Sequence, residues 1–139
     1  MIILDTNVLS EIVKATPLPE LLAWIGGQSH SSLYTTSISK AELLYGIELL
    51  PMGKRRSALY APIERILAED FAGRILPFDS VAAELYGRIA VSRRGIGRPI
   101  SDADAQIAAI VFAHRATLAT RNIRDFTHCG IELVNPWHR

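Results

Sequence analysis

Residues 1–7 of the chain read MIILDTN, a short apolar run that ends in a carboxylate. Such a run is typical of a buried strand. An acid that directly follows the strand would lie at the carboxyl edge of a sheet, where open α/β folds bind their ligands. Asp5 is therefore the first candidate functional residue, and the rest of the chain decides whether other acids join it.

Strand-like and helix-like segments alternate along the remaining sequence. The patterns predict strands at residues 33–37, 75–78, 117–119 and 131–134, and helices near residues 8–13, 19–25, 41–50, 55–71, 81–90 and 104–113. Strands separated by helices in this way predict an α/β fold, with a mostly parallel central sheet and helices on both of its faces. No repeat or low-complexity linker interrupts the pattern, so we expect a single domain over residues 1–139.

Composition narrows the class of protein further. Fifteen basic residues against fourteen acidic ones give a net charge of +1, which predicts no general attraction to nucleic acids or membranes. The lone Cys129 excludes an intramolecular disulfide and favours a reducing cytoplasm. The longest apolar stretch, residues 107–113, is far shorter than the about 20 residues that span a bilayer. We therefore expect a cytoplasmic protein without a membrane span.

Three more acids, Glu42, Asp104 and Asp125, lie where one predicted element gives way to the next, and all have a structural explanation. Ser39 and Glu42 fit the S-x-x-E capping box, in which Glu42 would accept a hydrogen bond from the amide of Ser39. Ser101 and Asp104 have the same frame, and acids in a first helical turn are favoured by the helix dipole. Asp5 could cap the helix that follows it, and Asp125 could stabilise a turn before Phe126.

The same four acids also suit a metal ion. Mg²⁺ prefers hard oxygen ligands, which carboxylates supply. The histidines show none of the spacings of a zinc site: His30, His114, His128 and His138. The chain has no phosphate-binding loop, dinucleotide-binding turn or nucleophilic serine elbow. The four acids are therefore the only feature of the sequence that indicates a particular chemistry. They are either helix caps or the ligands of a magnesium site.

Four motifs occur in order along the chain: ILDTN at residues 3–7, S-x-x-E-L at 39–43, D-x-x-I-A-A at 104–109, and T-R-N-x-x-D-F at 120–126. Together they resemble a PIN domain, and more closely a VapC-type toxin of bacterial toxin–antitoxin pairs. The RILPF segment at residues 74–78 and NPWH at 135–138 are similar to the FitB-like branch of that group. The similarity spans essentially the whole chain.

This resemblance implies a metal-dependent endoribonuclease. It assigns catalytic roles to Asp5, Glu42 and Asp104, with Asp5 and Asp104 holding Mg²⁺ or Mn²⁺. FitB-like members carry an acid at the position of Asn122, whereas other VapC-like chains have Asn there and an acid at the position of Asp125. We take Asp125 as the fourth catalytic candidate, and which of the two residues contacts a metal stays open.

The resemblance also suggests supporting residues and an RNA-binding surface. Supporting hydrogen bonds would come from Thr6, Asn7, Thr120 and Asn122. Arg121 and Arg124 flank Asn122 and are placed to hold phosphates near the site. Residues 54–56 and the arginines at 93, 94 and 98 form other basic clusters, for which a solvated face is the alternative explanation.

The resemblance further implies two kinds of protein partner. One is a cognate antitoxin, a small DNA-binding protein of the VapB or FitA type that covers the acids with a C-terminal segment, often through an Arg. The other is a second copy of the chain. Leu21, Leu22 and Trp24, with the helices at residues 41–50 and 55–71, offer apolar surface for a partner, although such faces more often belong to a core.

Two other functions compete with the nuclease. The first is a non-catalytic binding module whose acids cap helices and attract a basic protein. The second is a phosphotransfer receiver, which fits poorly because the opening strand ends in a single acid and no Lys follows a late strand. Glu42→Gln separates capping from catalysis, since glutamine keeps an acceptor oxygen but loses the charge.

Overall fold

A five-stranded parallel sheet forms the centre of the molecule. The computed structural model describes residues 1–137, so His138 of the NPWH motif lies outside the described part. The strands follow the order β3-β2-β1-β4-β5, and every pairing is parallel. Their bounds are β1 Ile2–Leu4, β2 Leu33–Thr36, β3 Ile75–Leu76, β4 Thr117–Ala119 and β5 Glu132–Val134.

Seven α-helices within residues 1–137 connect these strands and follow them closely in sequence. They are α1 Thr6–Ile12, α2 Pro19–Gly26, α3 Ser37–Glu48, α4 Lys54–Arg65, α5 Ser80–Gly95, α6 Asp102–Ala113 and α7 Ile123–Phe126. A π-helical stretch at Ile66–Asp70 extends α4, and the two together fill the helix predicted at residues 55–71. In this part of the chain, no helix combines the length and hydropathy needed to cross a membrane.

Helices cover both faces of the sheet because successive strand side chains point to opposite sides. Ile3 and Leu118 belong to one core with α5, α6 and α7. Leu4, Leu33 and Ala119 belong to a second core with α1, α2, α3 and α4. The predicted α/β fold, with its parallel sheet between two helical layers, is confirmed.

The start of α3 differs from the prediction and removes the proposed capping box. The helix begins at Ser37, because Thr36 caps it and accepts a hydrogen bond from the Ser39 amide at 3.0 Å. Ser39 therefore lies inside the first turn and cannot be the cap. The prediction that Glu42 satisfies the Ser39 amide is wrong, and the Glu42 carboxylate is free for another partner.

Two predicted apolar faces also differ from the structure. The spacing of apolar residues in the helix predicted at residues 81–90 places Val81, Ala82 and Ile89 on one inner face, but Val81 is 56% exposed, whereas Ala82 and Ile89 are buried. Leu21 and Trp24 are buried in the second core, so α2 leaves only Leu22 of the expected trio on the surface. The core explanation was therefore correct for Leu21 and Trp24 but not for Leu22.

Candidate active site

The carboxyl ends of β1 and β4 lie side by side and fix Asp5 in place. The Asp5 amide donates to the carbonyl of Ala119 at 2.9 Å, and the Thr120 hydroxyl donates to Asp5 Oδ2 at 2.8 Å. The Thr6 amide donates to Oδ1 at 2.8 Å, which confirms Asp5 as the cap of α1, and Asn7 Nδ2 donates to Oδ2 at 3.3 Å. Capping and a defined carboxylate orientation therefore coexist at one buried residue.

Thr6 joins the second acid to the first. Its hydroxyl lies 2.7 Å from Glu42 Oε1 and 3.0 Å from Ser39 Oγ. A hydroxyl has one hydrogen to donate, and a charged oxygen is the stronger acceptor. The Thr6 hydrogen therefore goes to Glu42, which holds an exposed carboxylate of α3 beside the start of α1.

The other two acids come from the opposite helical layer. The Ser101 hydroxyl accepts a hydrogen bond from the Asp104 amide at 3.2 Å, which confirms the predicted cap of α6. Asp125 lies in the four-residue α7 with an exposed side chain. Its amide donates to the carbonyl of Asn122 at 3.0 Å, and the Asn122 amide donates to Thr120 Oγ1 at 3.0 Å. These bonds fix the backbones of Asp104 and Asp125, and both residues lie at the pocket that Asp5 also lines.

All four acids line one open pocket of about 420 Å³. The remaining lining residues are Thr6, Asn7, Ser10, Glu11, Lys14, Arg121, Asn122 and Trp137. Within residues 1–137, no three His, Cys, Asp or Glu side chains form a ready-made cage for an ion. An open arrangement of this kind suits an ion that keeps several waters and takes only one or two carboxylates, as Mg²⁺ does.

Negative charge is concentrated in this pocket. Burial, together with the charge of Asp5, raises the pKa of Asp104 from 3.8 to about 6. Burial also raises the pKa of Asp5, and the charges of Glu42 and Asp125 add to that rise, although hydrogen bonds from its neighbours oppose it. Like charges held together disfavour one another's ionisation. The site therefore carries an excess of negative charge that a cation would relieve.

We expect the metal-free protein to become more stable as the pH falls from 7 to 5. The raised pKa of Asp104 means that the folded chain binds a proton before the unfolded chain does. The contribution of Asp104 to the free energy of unfolding is thus most favourable below about pH 4 and falls as the pH rises through about 6. Between pH 7 and 5 the gain is on the order of 1 kcal/mol after solvent screening is allowed for.

Urea unfolding of the protein in chelator at the two pH values measures this gain. Asp104→Asn serves as the matched variant, since asparagine does not titrate. The difference between pH 7 and pH 5 should shrink by that amount in the variant. An equal pH dependence in both proteins would mean that Asp104 is not the group responsible.

Glu11 and Lys14 also line the pocket, although they were not among the predicted site residues. Glu11 is buried and accepts hydrogen bonds from Lys14 Nζ at 2.9 Å and from the Leu18 amide at 3.2 Å. The hydrogen bond from Lys14 lowers the pKa of Glu11. The only sequence signal was the i, i+3 spacing of these two opposite charges, which occurs on most surface helices.

Trp137 and Arg121 form another part of the wall. The Arg121 guanidinium carbon lies 5.5 Å from the centre of the Trp137 ring, and the Arg121 amide donates to Asn7 Oδ1 at 3.2 Å. The indole nitrogen of Trp137 is buried and has no hydrogen-bond partner among residues 1–137. Arg121 therefore lies at the pocket, as its sequence position predicted, and Trp137 of the NPWH motif packs against its guanidinium.

The other predicted basic residues have different surroundings. Arg124 is exposed but is not among the residues that line the pocket. Arg93 was expected in a basic surface cluster and is instead buried, with 4% exposure. Arg56 pairs with Glu48 at 2.7 Å on the surface. Arg55 lines an apolar groove beside the acidic pocket.

The fold and site define an all-parallel α/β domain with four carboxylates at the carboxyl edge of its sheet. The PIN domain family model matches residues 2–130. The chain is 41% identical to VapC ribonuclease Y4jK of Sinorhizobium fredii over 137 residues, covering 99% of this chain and 98% of that relative. It is 38% identical to toxin FitB of Neisseria gonorrhoeae over 138 residues, covering 99% of each chain.

Solved structures agree with these relatives. The FitAcB crystal structure from Neisseria gonorrhoeae matches with a TM-score of 0.92 and 38% identity, covering all of both chains. FitAB bound to a DNA fragment matches with the same TM-score and 37% identity, covering 100% of this chain and 97% of that one. The chain belongs to the PIN-domain family, in the group of the VapC and FitB toxins, and the resemblance found in its sequence is confirmed.

Proposed function

We propose that this chain is the ribonuclease toxin of a toxin–antitoxin pair and hydrolyses RNA phosphodiester bonds with a divalent metal. The observation that carries the proposal is the meeting of Asp5, Glu42, Asp104 and Asp125 in one pocket from four separate parts of the chain. A full-length relative at 41% identity is named a ribonuclease, which supports the same activity here. A cytoplasmic location would give the enzyme access to RNA and stays a prediction.

The donor set of the pocket fits Mg²⁺ or Mn²⁺. Its candidate ligands are carboxylate oxygens. Burial and the charges of neighbouring acids raise the pKa of Asp5 and Asp104, and a bound cation would offset this unfavourable negative charge. Asp5 and Asp104 are the residues that we assign to the ion. When bound, such an ion lowers the pKa of a water and offsets the charge that develops on the phosphate.

Other side chains of the pocket would orient the metal ligands and the attacking water. Hydrogen bonds from Thr120, Thr6 and Asn7 hold the Asp5 carboxylate in one orientation. Thr6 occupies Glu42 Oε1, which leaves Oε2 available to accept a hydrogen bond from the attacking water. In-line attack by that water would leave a 5′-phosphate and a 3′-hydroxyl.

Arg121 is placed to hold the substrate at the rim of the pocket. A guanidinium pairs well with phosphate oxygens, and the ring of Trp137 supports the cation from one side. We propose Arg121 as the phosphate contact and Arg124 as a more distant one. RNA binding through these residues should weaken as the salt concentration rises.

Metal binding should raise the melting temperature of the folded chain. Ions that bind only the folded state stabilise it by RT ln(1 + [L]/Kd), which is about 1.4 kcal/mol when the metal is at ten times its Kd. The corresponding rise is a few degrees for a domain of this size. Melting curves in millimolar MgCl₂ or MnCl₂, against NaCl of equal ionic strength, measure it. An unchanged melting temperature would count against the metal site.

We further propose a cognate antitoxin as the protein partner, as in the FitAB and VapBC structures that this chain resembles. An apolar groove between α1, α3 and α4 shares Ser10, Lys14 and Glu42 with the acidic pocket and is lined by Leu43, Ile47 and Leu59 among others. An apolar segment in this groove could place a basic side chain against the acids. Co-purification with the product of a neighbouring reading frame, with loss of cleavage, tests this proposal.

Homodimer formation also stays a prediction. Apolar side chains are exposed at the α3–α4 end of the molecule: Tyr45, Leu49, Met52 and Tyr60. Light scattering of the purified chain across a range of concentrations would give its mass directly.

A further inference from the structure

Arg93 is a buried cation outside the acidic pocket. Its Nε donates to the carbonyl of Arg98 at 2.7 Å, and its Nη1 donates to the carbonyl of Asp125 at 2.8 Å. Nη1 also lies 3.6 Å from Cys129 Sγ. Within residues 1–137, no carboxylate forms a salt bridge with this guanidinium. Burying a charge without an opposite charge is costly, so the carbonyl contacts are what retain it.

The acceptors of Arg93 identify the segment that it holds. Asp125 and Cys129 lie at the two ends of a five-residue segment that follows the start of α7, and Arg98 lies in the loop after α5. That loop folds back on itself, with Gly97 at a φ of 73° and the Arg98 amide donating to the carbonyl of Arg93 at 2.9 Å. The Arg93 guanidinium therefore connects α5 to the backbone of Asp125, which is one of the catalytic candidates.

Besides Arg93, two hydrogen bonds hold the backbone around Asp125: its amide donates to the carbonyl of Asn122, and the Asn122 amide donates to Thr120 Oγ1. The four-residue helix α7 is too short to be stable without contacts to the rest of the protein. Asn122 at its start makes no side-chain capping bond, and the Asp125 side chain makes no hydrogen bond within residues 1–137. Phe126 anchors α7 in the core. The direction in which Asp125 points is therefore set by its backbone, whose carbonyl Arg93 holds.

We propose that Arg93 is a positioning residue that holds Asp125 toward the acidic pocket, rather than part of an RNA-binding surface. The proposal rests on the ribonuclease function proposed above. Arg93 acts through the backbone of α7 and contacts no substrate. Its removal should therefore matter only as long as Asp125 is an acid.

A double-mutant cycle tests this dependence. Arg93→Met should lower the cleavage rate by about 10–100-fold in the native background, the range typical of lost supporting partners. In the Asp125→Asn background the same change should cost less than about 2-fold, because the group it positions is already disabled. Arg93→Lys keeps the charge and one donor group, so it should recover part of the rate.

Arg88→Met is the matched control, because Arg88 is an exposed arginine of the same helix and lies outside the pocket. It should leave the rate within about 2-fold of its parent in both backgrounds. Melting curves and near-ultraviolet circular dichroism report whether each variant folds. If Arg93→Met does not fold, Arg93→Lys takes its place in the cycle.

Binding of Mn²⁺, followed through the melting temperature, gives a second readout that does not require cleavage. The Mn²⁺ concentration that produces half of the full rise in melting temperature should be higher in Arg93→Met and in Asp125→Asn than in the wild type. The double variant should show no further increase. If the wild type cleaves no RNA, the proposed function fails, and the Mn²⁺ cycle still decides the role of Arg93. Equal losses in both backgrounds, or an Asp125→Asn protein that equals the wild type in both readouts, would overturn the proposal.

Discussion

We expect Asp104→Asn to abolish RNA cleavage and, without metal, to make the protein more stable. Asparagine has nearly the shape of aspartate but no charge, so the change removes an ion ligand and relieves repulsion within the pocket. The cleavage rate should fall by more than about 100-fold, since even supporting partners of a metal site cost about 10–100-fold. The free energy of unfolding at pH 7 should rise by about 1 kcal/mol, because the raised pKa of Asp104 reports an unfavourable charge.

Asp102→Asn is the control for this variant. Asp102 begins α6 two residues earlier, is exposed, and accepts a hydrogen bond from the Tyr86 hydroxyl at 2.8 Å. The same chemical change there should leave cleavage at the wild-type rate, since Asp102 does not line the pocket. Cleavage assays and urea unfolding in chelator measure both variants. A loss of stability together with activity in Asp104→Asn would indicate a structural role for this acid.

Glu42→Gln should likewise lose cleavage by more than about 100-fold while its stability changes by less than about 1 kcal/mol. Glutamine keeps the oxygen that accepts the hydrogen bond from Thr6, so the link between α1 and α3 survives. It cannot carry the negative charge that a water or a metal requires. The expected signature is an inactive protein with a wild-type melting curve in chelator.

Glu48→Gln is the matched change on the same helix. Glu48 is exposed and pairs with Arg56 at the surface, where an ion pair contributes about 0–1 kcal/mol. Its cleavage rate should equal that of the wild type. If purified Glu42→Gln cuts RNA as fast as Glu48→Gln, the assignment of the reaction to this pocket is wrong, and a binding module with acidic caps becomes the better explanation.

The sequence predicted the fold well where one physical signal dominated. The apolar runs of β1 and β4 and the almost entirely apolar α6 could be placed from hydrophobic pattern alone. The start of α3 could not, because Thr36, Ser37 and Ser39 are all able to cap a helix and only the structure shows that Thr36 does so. Each of these residues is a favourable N-cap, so the sequence could not show which of them begins the helix.

The candidate site was predictable to a similar extent. Acids at the ends of elements pointed to Asp5, Glu42, Asp104 and Asp125, and all four line the pocket. The burial of Arg93 was invisible, because an arginine beside another arginine is typical of a solvated helix face. Contacts with Asp125 and Cys129, more than 30 residues away in sequence, decide its environment.

The central claim is that the acidic pocket uses a divalent metal and water to cut RNA. The most direct test is to incubate the purified chain with a labelled RNA oligonucleotide and identify the ends of the products. We predict cleavage in Mg²⁺ or Mn²⁺ that stops in chelator, leaves 5′-phosphate and 3′-hydroxyl ends, and is missing from an identical preparation of Asp104→Asn. Cleavage that persists in chelator, or that leaves 2′,3′-cyclic phosphate ends, would contradict it.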